Sequence, residues 1–228
     1  QRQMCIRDSK CMSIKENLLA VKQTIPNSVT LVAVSKTKPI SDIQEAYDQG
    51  QRIFGENRVQ EMTEKWEKMP KDIEWHMIGH LQRNKVKYMA EYVSLVHGVD
   101  SPRLLAEINK QAEKHNRTIP CLLQVHIAEE DTKFGFNEEE LLDLVRNENF
   151  KSHKNVKIVG LMGMATFTEN MDQVRREFKS LHSLYLKLES EYADFTTLSM
   201  GMSGDYQIAI EEGSTMVRIG SSIFGSRN

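Results

Sequence analysis

The 228-residue chain is poor in cysteine: Cys5, Cys11 and Cys121 are scattered, with neither disulfide nor metal-ligand spacing. That excludes a disulfide scaffold and a cysteine-held zinc site. With twelve methionines it suits a reducing compartment, so the expectation is the cytoplasm. No charge of one sign dominates. Thirty Lys and Arg stand against thirty-two Asp and Glu, a net charge of −2, with both signs interleaved, so no basic field favours nucleic acid or an anionic membrane. No apolar run is long enough to span a bilayer, and the amino terminus lacks the apolar core of a secretory signal. Internal repeats, low-complexity segments and linkers are absent, and no His, Cys or carboxylate set has metal spacing.

What the chain has is alternation. Gln1 to Cys11 is polar and aperiodic and precedes a natural start at Met12, so 1–11 reads as a non-native or disordered leader and 12–228 as one folded domain. Between Met12 and Gln23, Ile14, Leu18, Leu19 and Val21 recur at roughly helical spacing. Thr30 to Val34 is an apolar β-branched run that stops at Lys36, Lys38 and Pro39, and it reads as a buried strand. Ser41 predicts the cap of a helix ended by Gly50. Arg52 to Gly55 predicts a strand, Asn57 to Met69 a helix, Glu74 to Ile78 a strand, Arg83 to Ala90 a helix and Tyr92 to Val96 a strand. Ser101-Pro102 opens a helix with Leu104, Leu105, Ile108 and Ala112 inward. Further strands are predicted over Cys121 to Ile127, Val156 to Met162, Thr196 to Met200 and Thr215 to Ile219. Helices are predicted over Glu138 to Val145 behind an Asn137 cap, over Met171 to Tyr192 and over Tyr206 to Glu211. Eight strand-like runs alternating with helices in one domain predict an α/β fold, a single (β/α)8 TIM barrel with an extra N-terminal helix, over an open doubly wound sheet.

In such a barrel the segments that follow the strands share one face. Lys36 lies at the end of the first strand. Beside apolar walls and another cation its ammonium form is disfavoured, which frees the amine to attack a carbonyl and form a Schiff base. The alternative is that Lys36 and Lys38 are solvated strand-end residues. Ser199 to Gly204 and Gly220-Ser221-Ser222 are small-residue loops after the last two strands, where barrels often bind phosphate through backbone N–H groups. Ser203 and Ser221 add hydroxyls, although ordinary turns have the same composition. An amine and a phosphate cradle on one face suggest pyridoxal 5′-phosphate. Arg218, among apolar residues of the last strand, either reaches the ligand layer or pairs with a carboxylate. Against a pyridine nitrogen it would keep that nitrogen unprotonated and weaken the ring as an electron sink. His80 or His76 faces the site or is a satisfied structural group. Lys133-Phe134-Gly135-Phe136 reads as a loop clamp or as a turn with buried aromatics.

Seven segments in order carry a resemblance: Ser35-Lys36-Thr37-Lys38-Pro39, Phe54 to Glu61, His76 to Gln82, Lys133 to Phe136, Gly160 to Met164, Ser199 to Ser203 and Arg218-Ile219-Gly220. Together they resemble the pyridoxal phosphate homeostasis proteins, whose single barrel is similar to the amino-terminal domain of alanine racemases. The resemblance runs from about Met12 to the carboxyl terminus. It implies Lys36 as the Schiff-base lysine and Asn57 as a neighbour of the cofactor. It implies Ser203 with the backbone of Gly220 and Ser221 as phosphate ligands, Arg218 as the partner of the pyridine nitrogen and Met200 packed on the ring. His80 stays a cofactor-side candidate. Arg83 departs from the small residue expected after Gln82. The implied function is a carrier or buffer of pyridoxal phosphate without catalytic turnover, cytoplasmic and monomeric, serving pyridoxal-phosphate-dependent apoenzymes and neither nucleic acid nor membrane. The alternative is a racemase-like enzyme. That would need an acid–base group on each face of the imine, and in racemases the second comes from a further domain and a partner subunit for which no residues follow the eighth strand.

Overall fold

The computed structural model describes residues 13–129, 134–147 and 152–225. Eight parallel strands close into a barrel in sequence order. They are β1 Thr30–Val34, β2 Ile53–Glu56, β3 Glu74–Met77, β4 Leu95–Val99, β5 Ile119–His126, β6 Val156–Met164, β7 Thr197–Met202 and β8 Met216–Ile219. The ring closes where β1 pairs with β8, Leu31 opposite Val217 and Val32 opposite Arg218. Around it run α1 Ile14–Gln23, α2 Ile40–Asp48, α3 Val59–Lys68, α4 Pro102–Lys114, α5 Glu138–Arg146, α6 Met171–Glu189, α7 Tyr206–Glu211 and α8 Ser221–Phe224. This is the (β/α)8 barrel with one helix ahead of its first strand.

The alternation of side chains along each strand sorts the core into two layers. Val32, Leu95, Leu122, Met162 and Met216 form a small cluster inside the ring. Their strand neighbours Ala33, Val96, Leu123, Leu161 and Val217 belong to the large cluster that the helices cover, together with Leu104, Ile108, Phe178 and Leu181. α5 begins as Asn137 predicts: its Oδ1 accepts from Glu140 N at 2.8 Å while Asn137 N donates to Glu140 Oε2 at 3.0 Å.

Four local expectations change. Ser41 does not cap α2, which starts at Ile40 behind Pro39, because Lys38 N turns back onto Ser35 O at 3.0 Å and brings the helix start forward. Asn57 precedes α3, whose N-cap is Arg58. Arg83–Tyr88 is a 3₁₀ helix instead of an α-helix. β4 begins at Leu95, three residues later than expected, because Tyr92 is held back against α3: its ring stacks 4.4 Å from Trp66 and its hydroxyl lies 2.9 Å from Thr63 Oγ1. The leader 1–11 and Lys133 lie outside the described residues.

Candidate functional site

A cavity of about 670 Å³ opens at the carboxyl ends of the strands. Lys36 and Lys38 line it from the turn after β1, Asn57 and His80 from the segments after β2 and β3, and Ser203, Gly220 and Ser221 from those after β7 and β8. Arg218 of β8 completes the wall. Seven of the eight residues expected at a cofactor site are thus in one cavity. Among the described residues that line it, three cations, Lys36, Lys38 and Arg218, stand with one carboxylate, Asp205, which suits an anionic ligand.

Lys36 follows the fully buried Ser35 and precedes Thr37, a β-branched residue at φ 65°. That left-handed conformation is costly for threonine and needs outside support. It has it: Thr37 N donates to Glu61 Oε1 at 2.6 Å, and Ser35 O accepts from Lys65 Nζ at 2.8 Å. Beneath them Glu56, at the end of β2, accepts through Oε1 from Ser35 Oγ at 2.5 Å and from Lys65 Nζ at 2.7 Å. Burial pushes the Glu56 carboxyl above the usual carboxylate range, opposed by Lys65 and Ser35.

Arg218 is 4% exposed, and among the described residues it has no carboxylate within ion-pair distance. Its Nη1 donates to Ser199 O at 2.9 Å and to Ser199 Oγ at 2.5 Å, and its Nη2 to Gly163 O at 3.1 Å. The carboxylate-pair alternative is therefore replaced by a guanidinium tied to β6 and β7 at the cavity wall. Burial pulls it down to about 10, with Asp205 opposing. A guanidinium can only donate, so Ser199 Oγ accepts from it, and the same hydroxyl lies 3.0 Å from His97 Nδ1. His97 Nε2 in turn lies 3.1 Å from His76 Nδ1, a hydrogen bond between the two buried rings. The arginine is thereby linked through Ser199 to both buried rings. Burial lowers His76 to about 3 and His97 well below its ordinary value, His76 and Arg218 adding to the latter, so both rings are neutral at pH 7.

On the β7–β8 side of the cavity Gly220 N donates to Ser203 Oγ at 3.2 Å, joining the loops after β7 and β8. α8 starts at Ser221, so its first N–H groups have no intrahelical acceptor. Lys38 Nζ reaches Phe224 O at 2.8 Å and ties the far end of α8 to the Lys36 turn. Asn57 is packed under Gly79, where a Cβ would lie 2.5 Å from Asn57 O. Only glycine permits that approach. His80 is at the rim, its Nδ1 3.2 Å from Asp100 Oδ2 and its ring 5.0 Å from that of Phe134.

Met200 does not line the cavity. Ser199 faces the ring interior, so the next residue on β7 points to the helices, and Met200 is fully buried in the outer layer. Gly201, at φ 96°, then breaks the alternation and brings Met202 to the cavity. Sequence reasoning gave no role to Glu56, Glu61 and Lys65 below the Lys36 turn or to His97, and it placed Ser199 in a small-residue loop where the structure sets it behind Arg218. A charged Glu56 in a short apolar strand was the one available signal.

The alanine racemase N-terminal domain family matches residues 10–228. The pyridoxal phosphate homeostasis protein of Aquifex aeolicus (strain VF5) is 44% identical over 203 residues, 88% of this chain and 88% of that protein. This chain belongs to the pyridoxal phosphate homeostasis protein family. Another member, from Pasteurella multocida (strain Pm70), is 38% identical over 232 residues, 95% of this chain and 99% of that protein. Among solved structures, PipY of Synechococcus elongatus PCC7942 without PLP is 34% identical, with a TM-score of 0.87 over 93% of this chain and all of that one. PipY with PLP bound gives 0.85 at 33% identity. The alanine racemase of Clostridium difficile 630, 14% identical, shares the barrel alone, with a TM-score of 0.77 over 94% of this chain and 60% of the racemase.

Proposed function

We propose that the protein binds pyridoxal 5′-phosphate through a Schiff base on Lys36 and keeps it available yet sequestered, a carrier without catalytic turnover. The observation that carries the reading is the single cavity in which the Lys36 amine, the Arg218 guanidinium and the Ser203–Ser221 loops meet. When bound, the cofactor supplies an aldehyde and a pyridine ring able to act as an electron sink. Lys36 Nζ is the amine for attachment. The Ser203 hydroxyl and the backbone of Gly220 and Ser221 suit a phosphate, with the Gly220 N–H, which donates to Ser203 Oγ at 3.2 Å, turning to the ligand. Asn57 and His80 line the cavity from the β2 and β3 side and would border the cofactor there. Arg218, held by Ser199 and Gly163, offers a donor to the pyridine nitrogen and leaves that nitrogen unprotonated, which limits carbanion chemistry. The names of the relatives and the PLP bound to PipY support this assignment.

The reading extends to a cytoplasmic monomer that supplies pyridoxal-phosphate-dependent apoenzymes. No described helix is long and apolar enough to cross a membrane. Reduction of the loaded protein with borohydride, followed by peptide mapping, tests the attachment, and label on any other residue rejects it. One observation favours the racemase-like alternative: His80, with its Nδ1 against Asp100, gives the cavity an acid–base group besides Lys36. Incubation with each L-amino acid in deuterium oxide separates the two. A carrier leaves the α-proton in place and a racemase-like enzyme exchanges it.

A further inference from the structure

Lys36 is gripped on both sides by groups that do not line the cavity. The carbonyl of Ser35 belongs to the peptide unit on the amino side of Lys36, and it accepts from Lys65 Nζ at 2.8 Å. The N–H of Thr37 belongs to the unit on the carboxyl side, and it donates to Glu61 Oε1 at 2.6 Å. Lys65 closes the circuit by donating to Glu61 Oε1 and Glu56 Oε1, each at 2.7 Å. Three acceptors use all three of its N–H bonds. One ammonium and two carboxylates from α3 and β2 thereby fix both peptide planes that flank Lys36, and with them the direction in which its side chain leaves the backbone.

The arrangement is a poor device for stability alone. The Lys65 side chain is 7% exposed and that of Glu56 fully buried, so two charges have been taken out of water, which apolar residues of the same volume would avoid. Glu56 Oε2 is buried with no hydrogen-bond partner among the described residues, a further cost. What the triad achieves is local: it imposes the left-handed conformation at Thr37, which a β-branched residue keeps only when its surroundings over-determine it. We propose that Lys65, acting through Glu61 and the Ser35 carbonyl, is a positioning residue that aims the Lys36 amine at the cavity. The inference rests on Lys36 being the attachment residue.

The test uses apo protein of wild type, Lys65→Met and Glu61→Ala. The rate of borohydride-trappable attachment of pyridoxal phosphate at Lys36 is measured beside the dissociation constant of pyridoxine 5′-phosphate, which fits the same site but lacks the aldehyde. Both variants should attach about tenfold or more slowly, as expected when a reacting group is misplaced by a fraction of an ångström. Affinity for the aldehyde-free analogue should be unchanged. Amide exchange at Thr37 in the apo protein should rise in Glu61→Ala. Should Lys65→Met fail to fold, Glu61→Ala still decides, since it leaves the Glu56–Lys65 pair intact and removes a side chain that is 24% exposed. A wild-type attachment rate in folded Glu61→Ala overturns the proposal, and so does an equal loss of attachment and analogue affinity, which would mark general collapse of the site. Wild-type protein trapped at another lysine instead rejects the Lys36 assignment itself.

Discussion

Lys36 and Lys38 carry the same ammonium two positions apart, yet the fold gives them different work. Lys38 donates to a backbone carbonyl of α8, whereas Lys36 stands on a turn held from below. Lys36→Ala should therefore abolish borohydride trapping while weak binding persists, because phosphate contacts to backbone N–H groups do not depend on the amine; equilibrium dialysis and absorbance would measure both. Arg218→Ala should keep trapping at Lys36 but shift the visible absorbance, since a cation facing the ring is lost. It also strips the donor from Ser199 Oγ and Gly163 O, at a cost of about 1–3 kcal/mol in urea unfolding. The place of Lys36, Ser203 and Arg218 in one cavity was legible in the sequence because each stands at or beside a strand end, where residue type and position alone carry the signal. Glu56, Lys65 and Glu61 were not, because period-two and period-3.6 patterns tell which face a residue takes and not which partner it meets across two elements. Met200 failed for a related reason: the face of a strand residue depends on register, and Gly201 changes it one residue later.

At the scale of elements, the strands were read from their apolar runs with errors confined to their ends, and β4 moved most because a tyrosine stacked on a neighbouring helix is a tertiary fact. The helix predicted over Arg83 to Ala90 became a 3₁₀ helix over Arg83–Tyr88, where the polar run Arg83-Asn84-Lys85 leaves Val86, Met89 and Ala90 as the apolar residues to bury. The loops after β2 and β3 are fitted to each other at Gly79, where a Cβ would meet Asn57 O at 2.5 Å. Backbone cannot yield as a side-chain tip can. Gly79→Ala should therefore displace Asn57 from the cavity, cost about 1–3 kcal/mol in urea unfolding and weaken ligand binding at the same time. A loss of stability with unchanged affinity would dissociate the two loops from the site.

For the whole molecule, the buried histidines contribute to the response to acid. His76 falls from 6.5 to about 3 in the fold, so the unfolded chain binds protons that the native state refuses. Its contribution is complete above about pH 6.5 and is lost as pH falls towards 3; between pH 7.5 and pH 5 this amounts to roughly 2 kcal/mol. His97 acts in the same direction. Glu56, whose carboxyl is raised, acts in the opposite one and offsets part of the loss near its own titration. Urea midpoints at the two pH values should show the decline, and His76→Gln should show a smaller one. A further consequence follows from where the ring closes. Lys36 stands on one side of the β1–β8 seam and the α8 N–H groups on the other, and α1 is stitched to α8 by Asn17 Nδ2 donating to Ile223 O at 3.1 Å. Pairing Thr30 with Met216 joins segments almost the full described chain apart, so this step carries a large loop-closure entropy. Until it happens the two halves of the site are strangers, however much helix has formed. A ligand that spans them is a clasp: it binds the closed ring alone and by mass action raises its population, so retained ligand counts closed rings and is silent about open ones.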